Sequence, residues 1–112
     1  MTNPQDPEDA KIITLARAAR ARVGAEAGAA VRDTDGRTYA AAAVNLPSLQ
    51  LSAVQLAVAM AVAAGASGLE AATTDAGGVA ANDLDAVRDL GGVGVPVLRT
   101  DRAGHLLATL RT

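Results

Sequence analysis

Residues 51–65 read LSAVQLAVAMAVAAG and include the longest apolar run of the chain. The stretch is apolar on nearly every side, a pattern typical of a helix buried in the middle of a domain. Ala53, Ala57 and Ala61 recur at every fourth residue, and Gly65 continues the row. Residues this small leave a smooth face that a sheet or a second helix can approach closely. The stretch therefore predicts a central helix against which the rest of the chain packs.

The composition limits the classes of function open to the chain. With 112 residues it has the length of one domain, and we expect a flexible tail at residues 1–5 followed by a single domain at residues 6–112. Only Tyr39 is aromatic, so the core must be built from small side chains. A net charge of −2 gives no strong signal for nucleic-acid binding. The absence of cysteine excludes disulfides, thiolate metal sites and thiol nucleophiles, and a single histidine leaves few ligands for zinc.

The N-terminus and the apolar runs predict a soluble, cytoplasmic protein with no membrane partner. The first residues, MTNPQDPED, are polar and acidic, unlike a signal peptide. The longest apolar run is shorter than the ~18 residues that a membrane-spanning helix needs.

Before the central helix, the sequence predicts one helix and a β-hairpin. Asp6 is a candidate N-cap for an amphipathic helix over residues 7–22. An Asp- and Gly-containing turn at residues 33–36 separates two extended runs, at residues 25–32 and 37–45.

After the central helix, the sequence predicts a strand over 68–74, a helix capped by Asn82 and ending at Leu90, and strands over 93–99 and 105–110. Pro96 within 93–99 suggests an edge or irregular position. The turn between the last two strands is too short for a crossover, so they must be antiparallel, whereas the third helix connects two parallel strands. The order α-β-β-α-β-α-β-β predicts an α/β fold, with a mixed five-stranded sheet and helices on both faces.

This order resembles that of the cytidine deaminase family, specifically its small free-nucleoside branch. The resemblance covers nearly the whole chain and rests on the order and spacing of VGAEAGAAVRDTDGRTYAAAAVN (23–45), SAVQLAVAMAVAAG (52–65) and AANDLDAVRDL (80–90). It implies a three-layer α/β/α domain. It also implies a homo-oligomer, a dimer or tetramer, with the central helix near the shared interface.

The resemblance also implies the loss of the family's zinc chemistry. Members carry a Cys-Ala-Glu motif and a Pro-Cys-x-x-Cys motif, in which three thiolates hold zinc and the glutamate transfers protons. The matching positions place Ser52 at the first ligand and Val54 at the glutamate, with Ala81 and Leu84 at the paired cysteines. We therefore expect no cofactor and no deamination.

Polar residues around the head of the central helix are candidates for ligand binding. The family's Asn-x-Glu nucleoside clamp falls on Ala43 and Asn45. Gln50, Ser52 and Gln55 could hydrogen-bond a base or ribose in a retained pocket. Alternatively, Ser52 starts the helix, the glutamines reach solvent or a neighbouring subunit, and Asn45 is a turn residue.

Four further oxygen-bearing side chains lie near the predicted third helix: Asp75, Asn82, Asp83 and Asp85. They could hold a hard cation such as magnesium, or they could serve only as caps.

The preferred hypothesis is a non-catalytic cytidine deaminase-like protein that acts as an oligomeric binding or assembly module, with an unidentified protein partner possible. The alternative is a nucleoside or nucleotide sensor with a pocket but no chemistry. A third is a zinc-independent enzyme that uses the acidic residues near the third helix.

Overall fold

The computed structural model describes residues 6–112, so the tail predicted at residues 1–5 lies outside the described residues. The described chain forms three helices, α1 (Pro7–Val23), α2 (Ala53–Ala63) and α3 (Ala81–Gly91). Its strands are β1 (Gly28–Asp33), β2 (Thr38–Ala42), β3 (Val44–Leu46), β4 (Leu49–Leu51), β5 (Leu69–Thr74), β6 (Pro96–Thr100) and β7 (Leu106–Arg111). No helix within residues 6–112 combines the length and the apolar character needed to cross a membrane.

The main sheet has five strands in the order β2-β1-β5-β6-β7. Strands β5 and β6 are parallel, and every other neighbouring pair in this sheet is antiparallel. The predicted mixed sheet is therefore confirmed, with α3 as the crossover between its parallel strands.

Helices cover both faces of this sheet. On one face, Ile12 and Ala16 of α1 pack against Ala30 and Ala71. On the other face, α2 and α3 enclose the larger core, which includes Val31, Val54, Val58, Val87 and Val97. Of the twenty buried apolar residues within 6–112, ten are alanines. The predicted three-layer arrangement with a core of small side chains is confirmed.

Gly28 shows how closely these layers approach. A Cβ atom at this position would lie 2.1 Å from the carbonyl oxygen of Ala16, so α1 could not keep its place beside any larger residue. The amide of Gly28 donates to Asp75 Oδ1 at 2.7 Å, and its carbonyl accepts from Thr74 Oγ1 at 2.9 Å. Gly28 therefore fixes α1, β1 and the end of β5 relative to one another.

Asp33 fixes the predicted β1–β2 hairpin. Its Oδ1 accepts from the amides of Asp35 and Arg37, each at 2.9 Å, and its Oδ2 accepts from the Tyr39 hydroxyl at 2.8 Å. Burial alone would raise the pKa of Asp33, but these hydrogen bonds outweigh it and leave the pKa below its usual value. Hydrogen bonding to the same carboxylate raises the pKa of Tyr39. Tyr39 thus has a structural partner within its own hairpin.

Three local predictions are wrong. The strand predicted over 37–45 ends at Ala42, the partner of Gly28 at the start of β1, and the chain then folds back through β3 and β4 as a separate hairpin. The N-cap of α3 is Ala80, without a side-chain hydrogen bond, and Asn82 lies inside the helix. Pro96 does not mark an edge: β6 lies between β5 and β7, and Pro96 is its first residue, where a missing N–H is tolerated.

Candidate functional site

The first turns of α2 and α3 are joined by one side-chain hydrogen bond. Ser52 Oγ donates to Asp83 Oδ1 at 2.6 Å and accepts from the amide of Gln55 at 3.0 Å. Gln55 Oε1 accepts in turn from the Ser52 amide at 3.1 Å, which completes a capping box. Asp83 is buried, with 6% of the residue exposed. It lies in the first turn of α3, where the helix dipole favours negative charge.

A cleft of about 390 Å³ opens beside this junction. All four residues predicted as ligand-binding line it: Asn45 from β3, Gln50 from β4, and Ser52 and Gln55 at the head of α2. Further lining residues are Glu26, Ala43, Val44, Leu51 and Asn82. The β3–β4 hairpin and the head of α2 therefore bring amides and a hydroxyl to one surface, where they can donate and accept hydrogen bonds.

Glu26 was missed by the sequence analysis. It lies in the loop between α1 and β1, and only the folded structure brings that loop to the cleft. No local pattern marks it as a site residue.

The positions that the resemblance assigns to zinc chemistry have different surroundings. Val54 is 2% exposed and belongs to the core. Ala81 is exposed at the first position of α3, and Leu84 packs on the core. Of these four positions, only Ser52 is polar and lines the cleft.

The oxygen-bearing side chains near α3 do not converge on one point. Asp75 binds Arg20, Asp83 binds Ser52, and Asp85 pairs with Arg88 at the surface. Within residues 6–112, no three His, Cys, Asp or Glu side chains lie close enough together to hold a metal ion. The grouping on which the magnesium hypothesis depends is therefore absent from the described residues.

A second surface feature lies on the solvent-exposed side of α2. Met60 is 38% exposed and Val62 is 56% exposed, although both are large apolar residues. Beside them, a groove of about 240 Å³ between α2 and α3 is lined by Val58, Val62, Ala86, Asp89 and Leu90. The sequence from residue 38 to residue 69 contains no charged side chain, so the exposed part of α2 is uncharged as well as apolar.

Comparison with known proteins identifies relatives of this fold. A family model described as cytidine deaminase-like matches residues 5–104. The cytidine deaminase from Burkholderia pseudomallei superposes with a TM-score of 0.74 at 23% identity, over 91% of this chain and 89% of that one. The cytidine deaminase from Mycobacterium leprae superposes with a TM-score of 0.72 at 19% identity, over 90% of each chain. A comparison with curated protein sequences finds no significant match.

Proposed function

The chain belongs to the cytidine deaminase-like family, and from this premise we propose that it is a non-catalytic member that acts as an oligomeric binding or assembly module. The uncharged, apolar outer surface of α2 is the observation that carries this function. The side chains at the heads of α2 and α3 support the absence of catalysis.

The residues at the positions that match the family's zinc ligands do not fit a metal ion. The side chains of Ala81 and Leu84 are hydrocarbon and have no donor atom, while the Ser52 hydroxyl is already bonded to Asp83. At the position of the family's glutamate, Val54 has no proton to transfer. These residues provide no step of a zinc-dependent deamination.

The outer surface of α2 fits contact with a second copy of the chain. Exposed apolar patches on soluble proteins often mark interaction sites, and charged residues are depleted at the centres of interfaces. Met60 and Val62 are exposed on α2, which contains no charged residue, and they lie beside an apolar groove. A core in which half of the buried apolar residues are alanines gains additional burial when subunits associate.

Sedimentation across a range of protein concentrations tests this function. The wild-type chain should associate as its concentration rises, and Val62→Glu should weaken association, because a charge would be desolvated in the interface. The matched control is Val93→Glu, since Val93 is 86% exposed but lies outside α2. A wild-type chain that stays monomeric at all concentrations would refute the assembly function. Turnover of cytidine by the purified chain would refute the absence of catalysis.

A second candidate function is a nucleoside sensor. It is favoured by the cleft, which gathers Asn45, Gln50, Ser52 and Gln55 beside the helix junction. A ligand at a hundred times its dissociation constant stabilises a folded protein by about 2.7 kcal/mol, so thermal unfolding with a panel of nucleosides would detect binding. Asn45→Ala should weaken nucleoside binding. Absence of binding at millimolar nucleoside would remove this candidate.

A further inference from the structure

Three arginines, Arg17, Arg20 and Arg102, are linked to one another and to Glu26, which lines the cleft, and are called the arginine cluster below. Arg17 Nε donates to the backbone carbonyl of Arg102 at 3.1 Å, and Arg20 Nη2 donates to the same oxygen at 3.4 Å. Arg102 Nη2 donates to the carbonyl of Glu26 at 2.9 Å. These bonds connect α1, the β6–β7 turn and the loop before β1.

The arginine cluster has an excess of positive charge. Arg20 pairs with the buried carboxylate of Asp75 at 2.7 Å. Among residues 6–112, neither Arg17 nor Arg102 forms a salt bridge. Each of these two guanidinium groups makes one hydrogen bond to a carbonyl and has several further N–H donors. The guanidinium groups of Arg17 and Arg20 donate to the same oxygen, so their like charges repel one another, and a bound anion would offset that repulsion.

Glu26 connects the arginine cluster to the cleft. Its carbonyl oxygen accepts from Arg102, and the same residue lines the cleft. Asp75 directly follows β5, and Arg102 comes two residues after β6, so the cluster lies at the carboxyl ends of the two parallel strands. This is the end of an open α/β sheet at which ligands generally bind.

We propose that the cleft and the arginine cluster form one binding site for a small molecule that carries a phosphate monoester. The uncharged polar part of the ligand contacts Asn45, Gln50 and Gln55, which offer both donors and acceptors. The phosphate binds Arg17 and Arg102, because guanidinium groups match phosphate oxygens in charge and geometry. Among the described residues, Glu26 is the one charged residue that lines the cleft, and its carboxylate disfavours an anion there. The assignment rests on the second candidate function, because it assumes that the cleft holds a ligand.

Isothermal titration with the four ribonucleosides, their 5′-monophosphates and inorganic phosphate tests this site at low ionic strength. At least one monophosphate should bind roughly tenfold or more tightly than its nucleoside, the effect of one or two hydrogen bonds to a charged group. Arg17→Gln combined with Arg102→Gln should remove most of this advantage. Arg22→Gln is the matched control, because Arg22 is an exposed arginine of α1 outside the cluster.

Three other outcomes would each overturn the proposal that the cleft and the arginine cluster form one binding site. If a nucleoside binds and its monophosphate binds no more tightly, the site has no phosphate contact, whereas the nucleoside function stands. If the advantage of the monophosphate persists in the double variant, the phosphate binds elsewhere. If neither class of ligand binds, the nucleoside function fails together with this site. Should the double variant not fold, Arg102→Gln alone, at an exposed turn residue, should reduce the advantage by itself.

Discussion

Replacing Ser52 by alanine should destabilise the protein by about 2.5–4 kcal/mol, because one hydroxyl supports both α2 and α3. The loss of a serine N-cap costs ~1 kcal/mol. The loss of a hydrogen bond to a charged group costs a further ~1.5–3 kcal/mol, and Asp83 is too deeply buried for water to replace that bond easily. At about 4 °C per kcal/mol for a protein of this size, the melting temperature should fall by roughly 10–16 °C.

Urea unfolding followed by far-ultraviolet circular dichroism is the suitable assay, since the chain contains no tryptophan. Ser48→Ala is the control, because Ser48 lies in the exposed loop between β3 and β4 and should change stability little. Asp83→Asn keeps an acceptor oxygen for Ser52 and should cost less than Ser52→Ala. A Ser52→Ala variant within ~0.5 kcal/mol of the wild type would refute the reasoning, because surface substitutions without a structural role have effects of that size.

Three further predictions concern the framework around the site. Asp75→Ala should reduce the free energy of unfolding in urea by about 3–5 kcal/mol, because it leaves a largely buried arginine without its partner; a loss below ~1 kcal/mol would contradict this. Gly28→Ala should cost about 1–3 kcal/mol or more in thermal unfolding because its methyl group meets the α1 backbone, whereas Gly77→Ala, which has open space, should differ little from the wild type. The pKa of Asp33 is lower in the folded than in the unfolded state, so its ionised form stabilises the fold above pH ~4, and this stabilisation is lost as pH falls through the folded pKa. Asp33→Asn should therefore lower the melting temperature at pH 7, and the difference should shrink between pH 4 and pH 2; a difference independent of pH would argue against this role.

The sequence was sufficient to predict the helices and the main sheet because their signals are local. Helix α1 begins after the predicted Asp6 cap and ends at Gly24, whose φ of 62° suits glycine. Helix α2 lies within its predicted range of 51–65. The β3–β4 hairpin could not be predicted in the same way, since its strands have three residues each and its Pro47-Ser48 loop is not a typical hairpin turn.

The candidate site also combines features that local sequence patterns predict with contacts that they do not predict. Gln50, Ser52 and Gln55 are close in sequence, so their shared location at the cleft could be predicted. The Ser52–Asp83 hydrogen bond joins residues 31 positions apart, and that between Arg17 and Arg102 spans 85 positions. Such contacts depend on how the helices and turns pack, which no local pattern encodes. Their roles as ligand-binding residues stay predictions until titration tests them.

The alanine-rich core has a consequence for how the protein tolerates mutation. In most cores the damaging substitutions remove volume, because they leave a cavity where a large side chain was. Here ten of the twenty buried apolar side chains within residues 6–112 have only a single methyl group to lose. In this core, substitutions that add volume should therefore be the damaging ones. Added methyl groups at Ala29, Ala57 or Ala61, each fully buried, would force the layers apart. A saturation scan of folded variants should find these positions intolerant of valine and leucine but comparatively tolerant of glycine or serine, whereas Ile12 and Val97 should show the usual intolerance of truncation.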